Sequence, residues 1–84
     1  MYYRYIKATG VIEFITKEKK FELEEMQKLV GGYIEFVKCG KETVCCNEEG
    51  RLKGLPINKL YNEFLGDIIF GQTKGGAFLG FKNK

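Results

Sequence analysis

Alternation of apolar and polar residues dominates the first sixteen positions. From Tyr2 to Ala8, Tyr3, Tyr5 and Lys7 fall on one side, and Tyr2, Arg4, Ile6 and Ala8 on the other. That period of two marks a strand. Thr9-Gly10 is a turn signal, and Val11–Thr16 continues as a β-branched strand, so the chain opens with a hairpin. Over residues 22–30 the period changes. Leu23, Met26, Leu29 and Val30 share one helical face, with Glu22, Glu24 and Glu25 in the first turn and Gly31-Gly32 placed to cap the end.

Alternation then returns. Tyr33–Cys39 and Glu42–Asn47 read as a second hairpin around Gly40-Lys41, with Cys45 and Cys46 on opposite faces of the sheet. Asn47-Glu48-Glu49-Gly50 is a turn, and Leu52 and Leu55 anchor the extended piece after it. Asn58, past the helix-discouraging Pro56, is placed to N-cap a short helix over Lys59–Leu65 that Gly66 would end. A strand over Ile68–Phe70, a glycine-rich loop from Gly71 to Gly76 and a last strand over Ala77–Phe81 complete the pattern. The expected architecture is one α+β domain over 1–84, a mostly antiparallel sheet of five or six short strands with two short helices.

Composition narrows the chemistry. The chain has no His, Ser or Trp, and Asp67 is its only Asp. Ser–His and Cys–His nucleophile pairs are therefore excluded, as is His-based acid–base catalysis. The expectation is a non-enzyme without a cofactor. Three cysteines without a fourth ligand do not make a structural zinc site. No apolar run approaches the ~18 residues of a membrane span, and Met1–Tyr5 shows no signal-peptide pattern. Reduced thiols in a cytoplasm are expected. Seven Phe and five Tyr in 84 residues leave aromatics near the surface, which suits a homo-oligomer.

Fourteen Lys and Arg are interspersed with eleven carboxylates for a net charge of +3. That is too even for a dedicated duplex binder, so nucleic acid is not the expected partner. Arg51 and Lys53, two apart on an extended segment, point to one side, and an adjacent helix start at Asn58 would complete an anion pocket. Thr73 and Lys74 lie in a glycine-rich loop suited to closing over a phosphate, although it lacks P-loop spacing. Tyr33 could stack on a base, as single-strand binders do, or pack against a neighbouring strand.

The segments Leu29-Val30-Gly31-Gly32-Tyr33-Ile34-Glu35, Asn47-Glu48-Glu49-Gly50-Arg51-Leu52 and Gly54-Leu55-Pro56-Ile57-Asn58 resemble a small uncharacterised family of clostridia-like bacteria, their phages and mobile elements. Ile69-Phe70-Gly71-Gln72 is similar to its closing segment. Glu22 departs from the family's capping Thr or Ser, and Gly75-Gly76-Ala77-Phe78 fits less well. The resemblance implies anti-defence work done by occupancy. One form is a homo-oligomeric sponge that sequesters a cyclic dinucleotide-like immune signal in the host cytoplasm. There Arg51 and Lys53 would hold phosphates, Tyr33 would stack, and Asn47, Asn58 and Thr73 would supply polar contacts, with Lys74 beside them. The other form is an inhibitor or accessory module that binds a host defence protein through exposed aromatics and hairpin edges. The positive net charge speaks against an acidic DNA mimic.

Overall fold

In a computed structural model, which describes residues 1–82, the chain forms six strands and one helix. These are β1 (Tyr2–Ile6), β2 (Ile12–Thr16), α1 (Leu23–Val30), β3 (Ile34–Cys39), β4 (Glu42–Asn47), β5 (Ile68–Lys74) and β6 (Ala77–Leu79). The sheet is antiparallel throughout, in the order β2-β1-β5-β4-β3, with β6 beside the far half of β5. Both opening patterns are realised as hairpins. In the β3–β4 pair, Cys39 sits opposite Glu42, so Gly40-Lys41 is a two-residue turn.

Buried β5 is the axis of the sheet. Its first half is clamped on both sides: Ile69 pairs with Tyr5 of β1 and with Cys45 of β4. Each face then builds its own core. On one face, Tyr3, Tyr5, Cys45, Ile69 and Phe78 pack beneath Met26 and Val30 of α1. On the other, Ile6, Val44, Cys46, Ile68 and Phe70 are covered by Tyr61 and Phe64. Cys45 and Cys46 do face opposite ways, as alternation requires.

The helix begins after Glu22 in a capping box, whose N3 half is Glu25 Oε1 accepting the Glu22 backbone N–H at 3.2 Å. It ends on Gly31 in the left-handed conformation (φ 84°), whose N–H donates to the Gln27 carbonyl.

Two expectations are corrected. No helix forms over Lys59–Leu65; that stretch is a series of turns closed by a bridge between Ile57 and Leu65. The cause is Asn58. Its Oδ1 accepts the N–H groups of Leu60 and Tyr61, as a cap would, but its Nδ2 is committed to the Ile6 and Gly66 carbonyls and fixes both ends of the stretch against β1. Second, Gly71–Lys74 is strand, not loop. Gly71 stands where a Cβ would lie 2.7 Å from both the Leu79 carbonyl oxygen and the Phe78 ring, so its missing side chain lets β6 fold onto β5. Only Gly75-Gly76 remains as the turn.

Candidate functional site

The seven side chains singled out from the sequence do not converge. Thr73 and Lys74 are exposed at the far end of β5, where the Thr73 hydroxyl lies 2.7 Å from that of Thr43. Asn47 is four residues further along β4, about 13 Å at a strand's rise per residue. Asn58 is fully buried with its amide atoms bonded internally.

Asn47, Lys53 and Tyr33 do meet, at the C-terminus of α1. Asn47 is buried; its Nδ2 donates to the Val30 carbonyl at 3.1 Å, and its Oδ1 accepts the Glu49 N–H at 2.7 Å. Lys53 Nζ donates to the Gly31 carbonyl at 3.3 Å and lies 4.0 Å from Glu49. A cation there complements the negative end of the helix dipole. The same field repels an added phosphate. Tyr33 is 64% exposed and, with Gln27, Gly32 and Lys53, rims a depression of about 140 Å³.

The extended segment expected to set Arg51 beside Lys53 is instead a turn, closed by the Lys53 N–H donating to the Glu49 carbonyl, and the two side chains border different depressions. Arg51 is exposed, makes no ion pair among the described residues, and borders a pocket of about 220 Å³ that also contains Glu35, Glu48, Glu49 and Glu63. One guanidinium among four carboxylates is a poor phosphate cradle. The nucleophile lining this pocket is the Cys46 thiol, 3.8 Å from Glu35 Oε1. Burial, with the neighbouring carboxylate, pushes it up to about 11, so it stays protonated and unreactive. Burial pushes Cys45 up to about 12. Tyr5, whose hydroxyl donates to Asp67 Oδ2 at 2.8 Å, is also raised, by burial first and by Asp67 second.

A different surface has the shape of a binding site. On the helix-covered face, α1 leaves part of the sheet open. A cleft of about 320 Å³ lies between the start of the helix, β3 and the β5–β6 turn. Phe21, Leu23, Met26, Ile34, Phe36 and Phe78 line it, and Lys20 and Glu22 mark its polar rim. Leu23 (54% exposed) and Phe36 (48%) stand open to solvent, with Phe36 held against the Phe78 ring at 4.9 Å. Sequence reading missed this site because each residue taken alone is an ordinary core residue. The available signal was Leu23, an apolar side chain one turn too early to sit over the middle of the sheet.

Arg4 was missed as well. Its guanidinium lies 5.0 Å from the Phe70 ring centre and 5.3 Å from that of Phe81, and pairs with Glu42 across β5. Strand alternation put Arg4 on that face, but only the pairing order shows that Glu42 lies within reach.

Among the described residues, no three His, Cys, Asp or Glu side chains are placed to hold a metal ion, and no helix is long and apolar enough to cross a membrane. A family model described as a domain of unknown function (DUF3846) matches residues 5–80. No curated protein and no solved structure matches the chain.

Proposed function

The chain belongs to this family of unknown function, and we propose that it is a non-enzymatic binding protein that acts by covering a surface of a protein partner. The observation that carries this reading is the apolar cleft between α1 and β3, with Leu23 and Phe36 half exposed on its rim. Apolar side chains left in water beside a concave, aromatic-lined floor are the usual anchor points of an interface. A phage or mobile-element setting would make the partner a component of host defence.

Sequestration of a small nucleotide is the second reading. It is favoured by Tyr33, a largely exposed ring beside the Lys53 ammonium. The electrostatics give it less support: Lys53 is engaged by the helix end and Glu49, and Arg51 stands among glutamates.

Affinity capture from host cells separates the two when the wild-type chain, Leu23→Glu and Lys53→Ala are used as baits, followed by titration with the purified candidate. A protein that binds the wild type and Lys53→Ala but not Leu23→Glu supports the first reading. Binding indifferent to Leu23→Glu sinks it. A nucleotide-induced rise in melting temperature that disappears in Lys53→Ala would establish the second.

A further inference from the structure

The two edge strands of the sheet carry the same short pattern. Gly10-Val11-Ile12-Glu13-Phe14-Ile15 enters β2, and Gly32-Tyr33-Ile34-Glu35-Phe36-Val37 enters β3. Backbone bonding shows what each edge offers. In an antiparallel ladder, hydrogen-bonded pairs alternate with non-bonded ones. The Glu48 N–H donates to the Tyr33 carbonyl, so odd-numbered residues of β3 bond inward to β4. Ile34, Phe36 and Lys38 are left with outward N–H and C=O groups. The Lys17 N–H likewise donates to the Met1 carbonyl, which turns the backbone of Ile12 and Thr16 outward from β2.

What distinguishes the edges is the face. Ile34 packs with the helix-side core and Phe36 against Phe78, so the outward residues of β3 carry side chains on the same face as the apolar cleft. A strand added there continues the cleft floor. The outward residues of β2 point to the opposite face, because Ile15 is the one that packs on the helix side. On that helix side, Lys17 reaches over to Glu25 at 2.5 Å.

We infer that two copies of this chain pair antiparallel through their β3 edges, about a two-fold axis at Phe36, and join their apolar clefts into one surface. The axis stands normal to the sheet, so directly opposed residues share a face. Centred on Phe36, it sets Phe36 against Phe36 and Ile34 against Lys38 of the partner copy, and all three outward amides of each strand gain a partner. Centring on Lys38 would oppose two ammonium groups. Centring on Ile34 would run the ladder into Gly32 and shorten it. In this register each Lys38 arrives beside the partner copy's Ile34, at a cleft whose polar rim carries Glu22 as well as Lys20, so it meets a mixed rim and not a second row of ammonium groups. A chain of 84 residues gains from such burial, since small domains have few other means of covering apolar surface.

Sedimentation velocity and light scattering of the purified full chain test this directly. Loading concentrations on the order of 100 μM exceed the μM-to-pM dissociation constants of standard-size interfaces. The expected mass is twice the 9.7 kDa of one chain. Phe36→Glu should halve it, by opposing carboxylates on the axis. Lys38→Pro should halve it by removing an outward N–H that the monomer does not use; this second variant leaves the cleft intact if Phe36→Glu disturbs folding. Phe14→Glu, on the other edge, should remain dimeric. Wild-type protein at single-chain mass would overturn the inference, as would dimers that survive both β3 variants. Either result leaves the partner-binding reading to its own test with Leu23→Glu.

Discussion

Asn58 ties three stretches of chain together, donating to carbonyls of β1 and Gly66 while accepting two N–H groups of the turn that follows it. Its removal strands several buried backbone groups at once. Asn58→Ala should therefore cost about 3 kcal/mol, more than the ~1 kcal/mol of one hydrogen bond. In a domain of this size that lowers the melting temperature by roughly 12 °C or more, readable by calorimetry. The thiols make a second residue-level expectation. Cys45 and Cys46 are buried and Cys39 is half-buried, so a disulfide-exchange reagent at neutral pH should label one thiol rapidly in the native chain and three after denaturation. Burial holds the first two at about 12 and about 11, against an ordinary 9.0 in the unfolded chain. Groups raised in this way contribute stability that is complete below pH 9 and is lost as pH climbs through 11 to 12. Melting temperature should accordingly fall above pH 9, and Cys45→Ala should flatten the fall while costing stability at pH 7. The side chain of Asn58 was recognisable as a cap. Its burial was not, because that depends on where β1 lies, and no local pattern carries it.

At the level of elements, the hairpins and α1 were legible within one or two residues because period and turn chemistry agree locally. Alternation placed Cys45 and Cys46 on opposite faces, and Gly31-Gly32 ended the helix as glycine's freedom at positive φ allows. The failures came where a distant element decides. Gly71–Lys74 reads as a flexible loop by composition, yet pairing with β6 makes it strand, at a crossing too close for any side chain at Gly71. Gly71→Ala should thus destabilise the fold by about 2 kcal/mol through overpacking, seen as a lower denaturant midpoint. Leu23 behaves in the opposite way. Being more than half exposed on the first turn of α1, its replacement by Glu should change stability by no more than about 0.5 kcal/mol, while removing an apolar wall of the cleft. That asymmetry makes it a clean probe of binding.

Across the whole molecule, the six-stranded sheet carries a core on each face and has β2 and β3 as its outer strands, and its chemistry is unevenly spread. The basic turn that the sequence brings forward is neutralised from within: Lys53 serves the helix end, and Arg51 faces glutamates contributed by β3, the turn and residue 63. Charge counting along the chain could not show this, since Glu35 and Glu63 lie far from Arg51 in sequence. The apolar opening, by contrast, arises because an eight-residue helix reaches Ile34 of β3 but leaves Phe36 half exposed. On the proposed reading, the working surface is the β3 side of the helix-covered face. Amide hydrogen exchange, read residue by residue by NMR at low and high protein concentration, tests that most directly. The amides of Ile34, Phe36 and Lys38 should gain protection as concentration rises, while those of Ile12 and Thr16 stay fast. Fast exchange at all five positions, unchanged by concentration, would contradict it.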